Sequence, residues 1–169
     1  MSVENRSHEQ WMRIAQAEAV KAFHADEVPI GAAVVHNQEV IGLGFNQPIS
    51  SNDPTAHAEI VALRQAAESV DNYRLMGATL YVTAEPCLMC AGSLIHARID
   101  TLVYGTQEPK FGAVSSLMRA LDHPELTHRV KVVGGILAEE NRELLKKFFV
   151  KQRSVTRVTE EAIESETSV

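Results

Sequence analysis

Apolar and polar positions along the chain follow a helical period at the start and then give way to apolar runs typical of strands. The residues Ser-His-Glu-Gln at positions 7–10 have the form of a capping box, which predicts a helix over about residues 7–25. Two β-branched runs, IGAAVVH and EVIGLGFN, flank Asn37 and Gln38 and predict a β-hairpin. After the break SSNDP, the period predicts a second helix over about residues 55–69.

Strands and helices alternate in the second half of the chain. The run ATLYVTA predicts a buried strand, a helix opens at the two cysteines that follow, and TLVYG predicts the next strand. A strand, helix and strand in this order imply a parallel crossover. A short helix at SSLMRAL, a strand at RVKVVGG and a closing helix over residues 138–153 complete the predicted elements. The inner face of the closing helix is predicted to carry Leu144, Leu145, Phe148 and Phe149.

These elements predict a three-layer α/β domain with a mixed sheet. Because a helix separates TLVYG from RVKVVGG, the last two strands of the sheet are expected to be parallel. At 169 residues and 45% hydrophobic content, the chain can bury a single core without cross-links. The predicted domain covers residues 1–153, and the Glu- and Ser-rich segment 154–169 is predicted to be a disordered acidic tail.

The composition of the chain indicates its cellular compartment and the class of its partners. No stretch approaches the roughly 18 apolar residues of a spanning helix, the polar start MSVENRSHEQ lacks the apolar core of an export signal, and only two cysteines are present. We therefore expect a cytoplasmic protein without a membrane partner. The formal charge of −6 argues against broad electrostatic affinity for nucleic acid. Four Glu against one Arg in segment 154–169 supply half of that excess, so the total does not exclude a nucleic-acid substrate.

The two cysteines, Cys87 and Cys90, lie in EPCLMC and are compatible with three chemistries. A redox pair is disfavoured, because thioredoxin-like motifs usually hold Pro between the cysteines, whereas Pro86 precedes them here. A closed structural zinc site requires four protein ligands, and the chain has no second cysteine pair. A catalytic zinc site needs three protein ligands and leaves the fourth position for water.

Among seven histidines, His57 is the best candidate for the third ligand. It lies at the start of a predicted helix, two residues before Glu59, and the cysteines occupy the same place in another helix. Two helix N-termini directed at one point favour thiolates and an anionic water.

His-x-Glu followed by Pro-Cys-x-x-Cys is the signature of zinc-dependent nucleobase deaminases. It assigns His57, Cys87 and Cys90 to zinc and makes Glu59 the proton carrier, although a first-turn Glu can also serve the helix dipole alone.

Six segments of the chain resemble bacterial tRNA-specific adenosine deaminases, members of the cytidine-deaminase-like zinc deaminase superfamily. They are VPIGAAVV, GFNQPIS, NDPTAHAEIVALRQA, NYRLMGATLYVT, EPCLMCAGSLIHARI and GGILAEE, and the similarity covers residues 7–153. The resemblance implies a cytidine-deaminase-like fold with a five-stranded sheet, one Zn²⁺ per subunit, and a homodimer that binds tRNA across both subunits. The implied reaction is hydrolysis of adenosine to inosine at the wobble position of the anticodon stem-loop, typically in tRNA-Arg.

The resemblance also implies roles for individual residues. Hydroxide on the zinc attacks C6 of the base, and Glu59 carries the protons. The residues expected to line the base are Asn46, Val28, Pro29, Ile30, Ala58, Ala84 and Glu85. Asn46 is expected to read the purine, residues 28–30 to form an apolar wall, and residues 58 and 84–85 to contribute backbone groups.

The residues that could contact RNA are Glu108, Lys110, Phe111, Lys151 and Arg153, the three basic ones because they could meet phosphates. Glu108 stands where the family usually has Asp, and Ala84 stands where Leu is common, which leaves a roomier pocket. Phe111 has two interpretations, a ring stacked on a base or a ring packed against the protein, and packing is slightly favoured. Lys151 and Arg153 are equally well explained as the solvated face of the closing helix.

Three alternatives to this function remain open at the level of sequence. The same chemistry serves enzymes that deaminate free guanine, free cytosine or a nucleotide. A bound zinc ion could instead stabilise a binding module that has no catalytic activity. The cysteine pair could also form a redox disulfide in a protein that binds no zinc.

Overall fold

A computed structural model describes the backbone of residues 6–166 and the side chains of residues 6–155. The elements in chain order are α1 His8–His24, β1 Gly31–His36, β2 Glu39–Phe45, α2 Pro48–Ser51, α3 Ala58–Ser69, β3 Thr79–Ala84, α4 Leu88–His96, β4 Thr101–Thr106, β5 Lys131–Val133 and α5 Ala138–Glu166. The predicted capping box begins α1, because the Ser7 side chain accepts a bond from the Gln10 N–H and the Gln10 side chain accepts one from the Ser7 N–H. Helix α2, which the sequence did not predict, is a single turn that overlaps the first two residues of the predicted break at residues 50–54.

The five strands form one mixed sheet in the order β2-β1-β3-β4-β5. β1 pairs antiparallel with β2 and with β3, whereas β3 with β4 and β4 with β5 are parallel. The predicted parallel arrangement of the last two strands is therefore confirmed. Asn37 and Gln38 connect β1 to β2 with φ angles of 51° and 63°, as in the tight hairpin turns that match the twist of the strands.

Helices cover both faces of the sheet, which confirms the three-layer prediction. On one face, Trp11 and Met12 of α1 pack against Tyr81 and Val103 of the sheet, and α5 lies beside α1. The other face is covered by α3 and α4, whose buried Ala62 and Leu94 belong to the same core as Leu80 and Leu102. The charged and polar groups of the candidate site lie at the N-terminal ends of α3 and α4.

The prediction of a short helix at residues 115–121 is wrong, because this segment consists of turns and a bend. The backbone N–H groups of Ser115 and Ser116, together with that of Val114, donate to the carboxylate of Glu85. A helix would instead send successive N–H groups to carbonyl oxygens four residues earlier. A carboxylate thirty positions away in the sequence therefore overrides the local helical pattern.

Helix α5 is longer than predicted and reaches Glu166 instead of ending at Arg153. The backbone of residues 154–166 is helical, residues 167–169 lie outside the described part, and the predicted domain boundary and disordered tail stay predictions. An established helix extends at low cost, since each added residue no longer bears the cost of nucleation. Phe148 is buried as predicted, but Phe149 is 46% exposed and lies outside the inner face. No helix within residues 6–166 has an apolar stretch long enough to cross a membrane.

Close approach of α3 to β2 fixes the position of the first turn of α3. The backbone of α3 lies directly over Gly44, where a Cβ atom would collide with the Ala58 carbonyl oxygen and lie 2.5 Å from the Ala62 nitrogen. Gly42 has the same relation to the helix one turn later, at Ala62 and Ala66. Glycine in the strand and alanine in the helix therefore allow a separation that any larger pair would prevent.

Substitution of Gly44 by Ala is expected to lower the free energy of unfolding by about 1–3 kcal/mol, because the added methyl group meets backbone that cannot rotate away. Gly92→Ala in α4 is the matched control, since a Cβ there has no neighbour within 4 Å. That control should be neutral or stabilising by up to about 1 kcal/mol through helix propensity. Urea unfolding followed by circular dichroism measures both, and equal midpoints would contradict the packing argument.

Candidate active site

The N-termini of α3 and α4 bring together three side chains that are distant in sequence. His57 is the N-cap of α3, which begins at Ala58 and not at about residue 55 as predicted, and Cys87 is the N-cap of α4. Cys90 is the third residue of α4 and is fully buried. Both caps have extended backbone, with ψ near 154° and 175°, and the His57 side chain makes no capping hydrogen bond to its own helix. The imidazole ring of His57 and the sulfur atom of Cys87 can therefore both turn toward the same point.

The distances among His57, Cys87 and Cys90, together called the metal group, suit a metal ion. The Nδ1 atom of His57 lies 3.7 Å from Cys87 Sγ and 3.6 Å from Cys90 Sγ, and all three atoms are within 4.8 Å of one another. Tetrahedral zinc, with bonds of about 2.3 Å to sulfur and about 2.0–2.1 Å to nitrogen, places these donor atoms about 3.6 Å apart. The two distances from His57 match this value, so His57, Cys87 and Cys90 could hold a metal ion of this size.

Hydrogen bonds among the three donors shift their pKa values in different directions. Hydrogen bonds from Cys90 and His57 lower the pKa of Cys87 to about 4, against the opposing effect of burial. The hydrogen bond to Cys87 in turn raises the pKa of His57. A separate hydrogen bond, between Cys90 and Cys87, acts together with burial to raise the pKa of Cys90. Thiolate sulfur and neutral imidazole are the ligating forms, so binding of a metal ion releases the protons that Cys90 and His57 otherwise hold.

Glu59 lies beside this group but is not one of its donors. It is the second residue of α3 and is only 4% exposed. Burial raises the pKa of its carboxyl to about 7. A first-turn Glu that merely serves the helix dipole does so at the surface, so the burial of Glu59 needs another explanation. A carboxyl of this pKa can accept and release a proton near neutral pH, as a general acid and base must.

Asn46 connects the predicted pocket wall to α3. Its side-chain oxygen accepts a 2.9 Å hydrogen bond from the N–H of Ala58, the first residue of the helix. Asn46 thus provides the cap that His57 does not. Its own N–H donates to the Ile30 carbonyl, which places the segment of residues 28–30 alongside. Within the described residues the Asn46 side-chain nitrogen has no acceptor, so it can donate to a ligand.

The remaining predicted pocket residues differ in burial. Pro29, Ala58 and Ala84 are buried, whereas Val28 and Ile30 are partly exposed. Ala84 is the last residue of β3, and the Glu85 N–H donates to the Thr106 carbonyl of β4. The backbone at residues 84–85 thus leads from the sheet into the turn that carries Cys87.

Sequence reasoning missed the side chain of Glu85. Its carboxylate is buried and accepts hydrogen bonds from backbone N–H groups of the loop after β4 and from the Ser116 hydroxyl. Burial acts to raise its pKa, but these bonds outweigh burial and hold the pKa at about 2. The signal available in the sequence was an acidic residue, directly after a buried strand, with no basic residue near it.

The predicted RNA contacts fall into two groups. Glu108, Lys110 and Phe111 lie in the loop after β4, and this loop touches the start of α4 through a bridge between Gly112 and Cys87. The ring of Phe111 is 69% exposed, so it does not pack into the core.

The other two predicted RNA contacts, Lys151 and Arg153, lie on α5, which packs beside α1 on the other face of the sheet. Lys151 pairs with Asp26 at 2.6 Å, two residues before the predicted pocket wall at residues 28–30, and the RNA contacts of this second group stay a prediction.

The chain is similar to known deaminases over nearly its whole length. Residues 6–153 match the family model described as MafB19-like deaminase. The chain is 43% identical to the tRNA-specific adenosine deaminase of Haemophilus influenzae, over 96% of this chain and 95% of the relative. It is 45% identical to the tRNA-specific adenosine deaminase of Agrobacterium fabrum, over 88% and 96%.

A solved structure has the same fold. It comes from work on A-to-I editing by tRNA:A34 deaminases at the wobble position of transfer RNA. The superposition has a TM-score of 0.77 and 45% sequence identity, and it covers 80% of this chain and 98% of the other. The predicted sheet topology and the helices on both faces are therefore shared with a protein of that description.

Proposed function

Because this chain belongs to the MafB19-like deaminases and to the tRNA-specific adenosine deaminases, we propose that it hydrolyses adenosine to inosine at the wobble position of a tRNA anticodon. The observation that carries the proposal is the meeting of His57, Cys87 and Cys90 beside the buried carboxyl of Glu59. The arginine tRNA is the expected substrate, as the resemblance implies. The cytoplasm is the compartment that a tRNA substrate implies.

Zinc is the ion that the donor set favours, with one ion per subunit. Two thiolates and one imidazole suit this borderline-soft metal, and three protein ligands leave one position open, as in catalytic sites. When bound, zinc supplies a Lewis acid that makes a water molecule nucleophilic at neutral pH. His57, Cys87 and Cys90 hold the ion, and α3 and α4 orient these three residues from their N-termini.

Glu59 moves the protons of the reaction. Its carboxylate accepts a proton from the attacking water and delivers it to the ring nitrogen N1 of adenine. A second transfer through Glu59 protonates the amine that leaves C6, so adenosine and water yield inosine and ammonia. The burial that raises the Glu59 pKa to about 7 suits both directions of transfer.

The base is held by groups around the start of α3. The Asn46 side-chain nitrogen, which has no acceptor within the described residues, donates to an acceptor nitrogen of the purine. Ala58 and Ala84 have short side chains and allow the base to approach the backbone. Val28, Pro29 and Ile30 supply an apolar wall, and Ile30 is tied to Asn46 by a backbone hydrogen bond. A flipped adenine thus contacts polar groups on its edge and apolar groups on its face.

RNA outside the pocket contacts the loop after β4. Glu108, Lys110 and Phe111 lie there, and the exposed Phe111 ring offers a surface on which an unpaired base can stack. Lys151 and Arg153 on α5 would reach phosphates only if the RNA extends around the edge of the sheet. Because the chain carries a net charge of −6, affinity must come from such local contacts and not from an overall positive field.

A second copy of the chain completes the proposed assembly. Several large apolar side chains are exposed, among them Tyr73, Met76, Leu88 and Leu117, which are 56–68% exposed. Apolar surface of this kind is typical of an interface between chains. We therefore include a homodimer in the proposal, and a light-scattering mass of a single subunit would contradict it.

An anticodon stem-loop is expected to be deaminated far faster than free adenosine, guanine or cytosine. RNA contacts on the loop after β4 supply binding energy that a free base cannot use. The measurement compares inosine formation in a minimal stem-loop, detected by mass spectrometry of the digested RNA, with ammonia release from each free compound. A stem-loop with guanosine at the wobble position is the control. Faster turnover of free guanine than of the stem-loop would instead support the small-substrate alternative.

A further inference from the structure

The carboxylate of Glu85 is the centre of the loop that follows β4. Although the residue is only 4% exposed, both oxygens have several partners. Oε1 accepts from three consecutive backbone N–H groups at 2.7–3.1 Å, those of Val114, Ser115 and Ser116. Oε2 accepts from the Glu108 N–H at 3.1 Å and from the Ser116 hydroxyl. A single side chain therefore holds both ends of the segment of residues 108–116.

The bonds to Glu85 replace those that a helix or strand would supply. The segment of residues 108–116 has neither, and buried N–H groups without partners are costly. A carboxylate accepting several such bonds is stabilised by their dipoles, without a cation. Within the described residues no Lys or Arg pairs with Glu85, and it is not among the metal donors. Its charge is thus balanced by the loop itself.

The same loop is joined to the metal group by the backbone. Gly112 forms an isolated antiparallel bridge with Cys87, and the Ala113 N–H donates to the Pro86 carbonyl at 2.8 Å. Gly112 has no room for a side chain, because a Cβ there would lie 2.5 Å from the Glu85 carboxylate. Glu85 precedes Cys87 by two residues, so one short segment carries both the metal donor and the anchor of the loop.

The tip of the loop has no packing of its own to determine its position. Lys110 is exposed and Phe111 is 69% exposed. Their placement relative to the metal group therefore depends on how firmly the base of the loop is held. The five hydrogen bonds to Glu85 are the main fixed points at that base.

We propose that Glu85 is a positioning residue that holds Lys110 and Phe111 at a set place beside the metal group and thereby determines how an RNA strand docks. The Glu85 side chain acts through the loop, whereas the contact with the base that the resemblance implies for residue 85 is made by its backbone. The inference rests on the proposed function, because it takes RNA as the ligand of the loop. This positioning role accounts for the buried carboxylate at residue 85, where only backbone groups were expected to contribute to the site.

Glu85→Gln is expected to raise KM for the anticodon stem-loop by about tenfold or more, since bonds between carboxylate and N–H groups are among the stronger ones in proteins. The amide has the same shape, but its NH₂ group faces an N–H donor. The kcat value and the zinc content should change by less than about twofold, because the metal donors and Glu59 are untouched. Glu125→Gln, an exposed position in the same β4–β5 connection, is the control for the lost negative charge.

Hydrogen exchange followed by mass spectrometry provides a measurement that does not depend on activity. Glu85→Gln should speed exchange of the amides of residues 108–116, whereas Glu125→Gln should leave them as in the wild type. Ser116→Ala, which removes only the hydroxyl bond, should shift exchange and KM in the same direction by smaller factors, and it serves if Glu85→Gln does not fold.

The outcomes separate this inference from the proposed function. Unchanged exchange of the loop, a KM equal to that of Glu125→Gln, or loss of zinc from Glu85→Gln would each overturn the positioning role. A wild-type protein that leaves every stem-loop unmodified would instead overturn the proposed function. In that case the exchange experiment still decides whether Glu85 holds the loop.

Discussion

Replacement of Glu59 by Gln is expected to reduce inosine formation in an anticodon stem-loop by about 10²–10⁴-fold, the usual contribution of a general acid and base. Gln has nearly the same shape as Glu but cannot accept and release a proton near neutral pH. The His57, Cys87 and Cys90 donors are unchanged, so the variant should still hold one zinc ion per subunit. The loss should therefore appear in kcat, with KM for the stem-loop changed little.

The measurement pairs inosine detection with metal analysis of the same samples. Glu68→Gln is the matched control, because Glu68 is an exposed residue at the other end of α3. It should retain wild-type activity and zinc. If the wild type contains zinc and yet neither protein forms inosine, the alternative of a zinc-stabilised binding module gains support. Full activity of Glu59→Gln would remove Glu59 from the mechanism.

Replacement of His57 by Ala is expected to abolish both metal binding and activity. Loss of a residue that only supports a ligand reduces metal affinity by about 10–100-fold, and loss of a ligand itself should exceed that range. Zinc binding and folding are coupled when a site is assembled from distant segments. The variant should therefore also unfold at a lower temperature than the wild-type protein.

His96→Ala is the control for this prediction, because His96 is an exposed histidine at the end of α4. It should keep one zinc ion per subunit and the wild-type unfolding temperature. Metal analysis, differential scanning calorimetry and the stem-loop assay measure the three quantities. Retention of zinc by His57→Ala would show that the donors are not those the geometry indicates. A Cys87–Cys90 disulfide, seen by mass analysis without reductant, would instead support the redox alternative.

Most of the fold could be predicted because most of its elements are determined locally. Capping residues at Ser7, the turn at Asn37 and Gln38, and the apolar runs of the strands each act over a few positions. The parallel order of β3, β4 and β5 follows from the length of the connections between them. The errors at residues 115–121 and at Phe149 have a common cause. Both depend on which distant group a residue meets, and periodicity does not carry that information.

The sequence by itself determined the chemistry of the site, since the types and spacings of His57, Glu59, Cys87 and Cys90 restrict what these side chains can do. The tertiary structure decided how that chemistry is held in place. Only the fold shows that Asn46 caps α3 in place of His57, that burial shifts the pKa of Glu59 toward neutrality, and that Glu85 organises the loop beside Cys87. The physical reason is that a residue type sets which interactions a side chain can form, whereas burial and hydrogen-bond partners depend on contacts between segments far apart in the chain.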